Sequence, residues 1–341
     1  MKISLLLTAI LLYTALILQI HAQAIDKVTF FESDSILHAK LSTNIGKLVQ
    51  SRLKPEYIPA TFSCTMPDSN ISEKVRIIAR GNMRRKTCSL PPVKINFHNE
   101  TSPVFNTLGS LKLVSGCFLN DYGDQLVLKE YLIYKIYNLL TEKSFHVRLL
   151  DLSLEDENGK RKPSSQHAFL IEDEKALAKR NECKAVSYAQ INPGYADRSQ
   201  MNLVSIFEYM IGNTDYGFTV NHNTILIQSK ADSTSKPFIV PYDFDYSGLV
   251  NADYAVPAEG IEIDNVRQRY YMGFLITPNE LNNVIAIFNN QKDKIYSLIN
   301  NFQLLTEKNR KDIIYYLDDF YKTINNNREA KNIFVNGSRK A

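Results

Sequence analysis

The first half of the chain alternates. Residues 93–97 (V-K-I-N-F) place Val93, Ile95 and Phe97 on one face and Lys94 and Asn96 on the other, the period of a half-buried strand. Residues 74–79 (K-V-R-I-I-A) alternate and are rich in β-branched side chains, and 111–114 (L-K-L-V) predict a third short strand. A basic Gly/Asn turn at 81–86 (G-N-M-R-R-K) separates the first two. Strand patterns recur at 146–154 and 166–171, joined by a charged, glycine-containing loop. Before them, 126–140 reads as a helix of good helix formers and large apolar residues. Glu130 lies four residues after Leu126, four before Tyr134 and seven before Tyr137. A carboxylate therefore stands on a mostly apolar stripe and requires a partner.

The period changes in the second half. Residues 200–211 are apolar-periodic, and Thr277-Pro278-Asn279-Glu280 is a capping box with proline at the first helical position, opening a helix over 281–300. Residues 306–324 form a last amphipathic helix, and the polar stretch from Asn325 is expected to fray. Residues 24–59 form a mixed prelude with a helical pattern at 45–53. No internal repeat or low-complexity tract is present. Three strands, a helix, two strands, a polar connector and a helical half predict an α+β class. The order is that of a bilobal, divergent protein-kinase-like fold: an antiparallel-sheet lobe with one helix at 25–172, a mostly helical lobe at 173–328 and a polar tail at 329–341.

Composition narrows the picture. The chain has 341 residues, 44% of them hydrophobic, with 19 Tyr, 17 Phe and no Trp, which suits a globular protein with a sizeable core. A net charge of +4 without a basic run or a basic–aromatic stripe argues against a nucleic-acid partner. Residues 1–24 predict a signal peptide: Lys2, an apolar run to Ile20, then the small-residue pattern H-A-Q-A. No basic stop-transfer cluster follows, so a periplasmic or extracellular protein without a stable membrane span is expected. The four cysteines, Cys64, Cys88, Cys117 and Cys183, suggest disulfides in such a chain. Cys64–Cys88 is the expected pair, leaving Cys117 with Cys183; four buried thiols are the bland alternative. With no CxxC and six scattered His, a zinc site is not expected.

The chemistry concentrates between Gly212 and Leu249. An acid, Asp215, sits in a Gly/Asn-bounded loop; Asn221 and Asn223 follow, then a strand at 224–228, a polar turn, a strand at 237–242, and Asp243 and Asp245. Phosphoryl transfer needs positioning, a metal ion on phosphate oxygens, and a carboxylate that orients the attacking group. Mg²⁺ takes hard oxygen ligands and keeps several waters, so one or two carboxylates and an amide carbonyl are the expected protein share. Asp215 is accordingly assigned as the catalytic base or the acid that orients the nucleophile. Asp243 is the leading metal ligand, assisted by Asp245 and by Asn223, with Asn221 its rival; Phe244 would be a packing anchor. A phosphate-binding cation is expected from Lys112 or Lys94, held by Glu130, with Arg80 and Arg84 beside Gly81 also able to face phosphate. Neither a GxGxxG nor a Walker A loop is present. Glu172 to Glu174 would form a hinge against a nucleobase. His222 reads as structural. Each element alone is more often an Asx-rich turn or a solvated acid than a site; their order favours the functional reading.

These residues resemble a known family. The segment 76–97 (R-I-I-A-R-G-N-M-R-R-K-T-C-S-L-P-P-V-K-I-N-F) is similar to the R-I-R-G-N…K-x-Y-K-I-K-F segment of CotH-type spore-coat proteins, which are atypical kinases. The helix–strand passage 126–154 and the strand end at 168–173 also resemble that family, and Pro241-Tyr242-Asp243-Phe244-Asp245 resembles its P-W-D-Y-D motif. The chain looks closer still to a group of exported bacterial proteins sharing I-G-N-T-D and P-Y-D-F-D-x-S-G-L-V-N. The resemblance spans roughly residues 74–275. It implies ATP- and Mg²⁺-dependent phosphorylation of a protein substrate, carried by Asp215 and Asp243 and extending to Asn223 and Lys94. The chain departs from the pattern in Phe244, in the extra basic residues of its Arg-Gly-Asn loop, and in Cys88. Export to an ATP-poor compartment makes an inactive binding or adhesion module the alternative. A metal-assisted hydrolase using Asp215, Asp243 and Asp245 ranks behind both.

Overall fold

A computed structural model describes residues 27–66, 69–98, 105–188 and 192–340. The expected signal peptide lies outside the described residues. Helix α1 (Lys27–Glu32) leads into strand β1 (Leu37–Thr43), helix α2 (Ile45–Gln50), strands β2 (Ile58–Met66) and β3 (Ser69–Ala79), helix α3 (Met83–Thr87), and strands β4 (Val93–Asn96) and β5 (Ser110–Ser115). Helix α4 (Asp121–Leu140) precedes the hairpin β6 (Val147–Asp156) and β7 (Ser164–Ile171). Neighbours run β1-β2-β3-β4-β5-β7-β6 and close back on β1. Six pairings are antiparallel, and the closing β1–β6 pairing is parallel, from Leu37↔Leu150 to Thr43↔Asp156.

This closed, mixed seven-strand barrel overturns the kinase-like expectation of an open antiparallel sheet lobe facing a helical lobe. The decisive strands are β1 and β2, inside or beside the stretch read as a mixed prelude. They occupy both edges that an open sheet would have left unpaired. Alternation in β1 is weak, because Ala39 is small and His38 and Lys40 are ordinary surface residues, yet Leu37, Ala39 and Leu41 all face inward. Phe62, Ile77, Ile95, Leu111, Leu150 and Leu170 fill the interior. Phe62, Phe97 and Phe105 meet edge-on there, with centroids 5.3 to 5.9 Å apart, a favoured aromatic geometry.

Helix α4 joins the barrel to the rest. The Asn120 side chain caps it by accepting from Gly123 N, and it is buried on nearly all sides. Tyr131 and Tyr134 pack on Phe169 of the barrel wall; Tyr134 also meets Phe244, and Tyr137 meets Phe207. Beyond it lie helix α5 (Glu174–Arg180), strand β8 (Cys183–Val186), helix α6 (Arg198–Ile211), strands β9 (Thr224–Ser229) and β10 (Phe238–Pro241), and helices α7 (Pro278–Asn301), α8 (Glu307–Ile324) and α9 (Asn327–Ala330). The strands form a small antiparallel sheet in the order β10-β9-β8. The capping box at Thr277 and Glu280 is formed. The segment after Asn325 does not fray: a π-helical stretch over Lys331–Asn336 buries Phe334 against Tyr209 and Tyr271.

The disulfide is Cys88–Cys117, and Cys64 and Cys183 are buried free thiols, so neither expected pair forms. The β3–β4–β5 meander explains this. Ala79, Val93 and Leu113 stand in register at one end of it, bringing the α3 loop with Cys88 beside Cys117, just past β5. Cys64 is paired with Ile71 toward the opposite end. Among the described residues no helix is long and apolar enough to cross a membrane. One disulfide is consistent with an exported protein.

Candidate functional site

The end of the barrel that carries the disulfide forms one wall of a cleft of about 530 Å³. Arg80 directly follows β3, with its N–H on Pro92 O, and Gly81 at φ 81 turns the chain into α3. Lys94 on β4 and Lys112 on β5 are directly opposite in register. Like charges opposed across strands repel. Burial and then Arg80 push the Lys112 ammonium down to about 8, and its Nζ lies 3.7 Å from the centre of the Tyr242 ring.

The opposite wall comes from the turn after α6 and the ends of β9 and β10. Gly212 closes α6 in the left-handed conformation (φ 67); an added Cβ would lie 2.0 Å from Tyr316 Oη, so glycine is required twice over. Asp215 follows. Its Oδ1 meets His222 Nε2 at 2.8 Å, and Asn223 Nδ2 donates to its Oδ2 at 3.0 Å and to its backbone O at 2.7 Å. Gly217 and His222 exchange backbone hydrogen bonds, which folds the loop back and delivers both partners. Asn221, Asn223 and Asp243 are left-handed, at φ 51, 52 and 70. Asn and Asp tolerate this region best, and such backbone clusters at functional sites. Asp243 N donates to Tyr134 Oη at 2.9 Å, which ties the metal candidate to α4.

The predicted site residues divide. Asp215, Asn221, Asn223, Asp243, Asp245, Arg80, Lys94 and Lys112 all line the cleft. Among the described residues no protein group hydrogen-bonds the Asp243 carboxylate, whereas Asp245 is buried against Arg84 at 3.4 Å and Tyr254 Oη at 3.1 Å. Burial and Asp243 raise Asp245 to about 6. Glu130 does not hold a lysine. It lies buried beneath the cleft floor beside Arg84 and Asp245, with Oε1 unpartnered, and burial followed by the two acids drives its carboxyl strongly upward. Arg84 also donates to Ser115 O. Glu172 is fixed by Arg180 at 3.0 Å and by His146 N at 3.1 Å, on the edge of an adjoining cavity of about 390 Å³ that shares Lys94 and Lys112 with the cleft. Its carboxylate is a structural ion pair.

Sequence reading missed His222, whose partner is Asp215, and Tyr134. His222 stands beside Asn223 with Gly217 five residues before it, and as a histidine with no partner visible in the sequence it read as structural. Among the described residues no three His, Cys, Asp or Glu side chains form a ready metal cage. Mg²⁺ does not need one. The free Asp243 carboxylate and the buried, unpartnered Asn221 Oδ1 fit its hard-oxygen preference, while the Asn223 NH₂ already serves Asp215. No family model, curated protein or solved structure matches the chain.

Proposed function

We propose that this cleft transfers a phosphoryl group from ATP·Mg²⁺ to a protein hydroxyl, the activity that the resemblance to CotH-type kinases implies. The observation that carries it is the pairing of walls: Arg80, Lys94 and Lys112 face Asp215 and Asp243 across one cleft. The cations bind phosphate. Asp243, with Asn221 or Asn223, would hold Mg²⁺, which supplies charge neutralisation on the phosphate oxygens. Asp215, its carboxylate oriented by His222 and Asn223, accepts the hydrogen bond of the attacking hydroxyl and so aligns it. The protein would act in the periplasm or outside the cell, consistent with the Cys88–Cys117 bond.

Radiolabel transfer from ATP·Mg²⁺ by the purified chain, to itself or a generic acceptor protein, tests the proposal. Transfer by wild type that falls at least a hundredfold in Asp215→Asn is expected, the scale of lost general base catalysis. Equal transfer by the variant would remove the assignment. One observation favours a second reading, a binding module without turnover: Asp245 is tied to Arg84 and Tyr254, leaving one free carboxylate for metal. In that case ATP·Mg²⁺ raises the melting temperature and no label moves.

A further inference from the structure

Below Asp215 lies a buried acid that the proposed chemistry does not use. Glu208, in the last turn of α6, is 1% exposed. An apolar side chain would fill that place without the cost of burying a carboxyl. Glu208 instead makes one side-chain contact: its Oε2 accepts from Asn213 Nδ2 at 2.9 Å, while Oε1 has no partner. Its backbone O also accepts from Asn213 N at 2.9 Å. Asn213, equally buried, presents Oδ1 to the N–H of Asp215 at 3.0 Å. An unbroken chain therefore runs from Glu208 through Asn213 to Asp215, and on to His222 and Asn223.

We propose that Glu208 and Asn213 are positioning residues for Asp215, with Glu208 fixing which way the Asn213 amide points. An amide has one accepting and one donating end. Asp215 N requires the accepting end, and the Glu208 carboxyl beneath takes the donating end, so only one of two orientations satisfies both. Without Glu208 the amide is free to flip, which sets N–H against N–H and releases the Asp215 backbone. Burial also pushes Glu208 up to about 8, so it adds no second negative charge under Asp215 at neutral pH. The role rests on the phosphoryl-transfer reading only for its kinetic consequence.

The test uses the full chain with Glu208→Leu, Glu208→Gln and Asn213→Ala. The first readout is independent of activity: the imidazole ¹⁵N shift of His222 Nε2 at one fixed pH, which reports its hydrogen bond to Asp215. The bonded signature is expected in wild type and Glu208→Gln and is expected to be lost in Glu208→Leu and Asn213→Ala. The second readout is the kcat and KM split in ATP·Mg²⁺ transfer. A kcat loss of about tenfold to a hundredfold in the disrupting variants, with KM within about twofold, follows from misplacing a positioned group; glutamine restores most of kcat. If wild type transfers nothing, the phosphoryl reading falls, and the His222 signal still decides the positioning claim. If Glu208→Leu does not fold, Asn213→Ala carries the same test. An unchanged His222 signal in the disrupting variants, or its loss in Glu208→Gln as well, overturns the proposal.

Discussion

The Lys112 ammonium lies 3.7 Å from the centroid of the Tyr242 ring, joining the barrel wall to the strand end that presents Asp243. Burial and then Arg80 disfavour the charged form, Asp243 and Glu174 favour it, and the ammonium is lowered to about 8. A lysine lowered in this way is a cation below about 8 and loses its charge as pH rises through that value. Affinity for ATP·Mg²⁺, measured by calorimetry, is therefore expected to weaken between pH 7 and pH 9. Lys112→Met is expected to bind about tenfold to a hundredfold more weakly at pH 7, the scale of a charge-assisted contact worth ~1.5–3 kcal/mol, and to show less of the pH dependence. A wild-type affinity that is constant across this range would refute the role.

The disulfide holds the loop that carries Arg84. Cys88 and Cys117 are 29 residues apart, and Arg84 reaches from α3 to Asp245 and Ser115 O. Loop-closure entropy assigns such a bond roughly 3–4 kcal/mol. Replacing both cysteines with serine is expected to lower the melting temperature by several degrees and to make it indifferent to reductant, while reductant lowers that of wild type. Identical melting with and without reductant in the oxidised wild-type protein would contradict this.

Gly212 lies where a methyl group has no room. Tyr316, the residue it would strike, is buried between the guanidinium groups of Arg267 and Arg269, 4.3 and 3.8 Å from its ring, so it cannot swing aside freely. Gly212→Ala combines left-handed backbone strain with that clash and is expected to destabilise the fold by at least ~1–3 kcal/mol. Adding Tyr316→Phe removes the hydroxyl and should recover part of the loss in denaturant unfolding. No recovery would mean that strain alone sets the effect.

Glu208 also predicts a pH dependence of stability. Its carboxyl is raised from 4.5 to about 8 in the fold, so the folded state holds the proton more tightly. The contribution to stability is complete below about 4.5, declines as pH rises, and is gone above about 8. At ~1.4 kcal/mol per pKa unit this is on the order of a few kcal/mol. Glu208→Gln should match wild type near pH 5 and melt higher near pH 8.5. A constant difference between the two proteins across that range would show that Glu208 does not titrate in this way.

Local elements were legible in residue order because their causes are local. Alternation marked the second half of β3 and β4, the Thr277 capping box opened α7, and the Gly212–Asp215 turn and the Asp243–Asp245 pair stood out as polar groups at element ends. Side-chain period, caps and turn residues act between near neighbours, so one strand of sequence carries them. Which ends meet was decided elsewhere. Barrel closure depends on β1 pairing with β6, whose partners are more than a hundred positions apart, and nothing in the seven residues of β1 names that edge. The same folding brought Cys88 to Cys117, gave Asp245 to Arg84, left Glu130 buried beside that pair with no lysine, and turned His222 from a lone imidazole into the neighbour of Asp215. Those choices follow from register and burial across the whole chain, where a buried charge takes whichever counterpart the strands deliver.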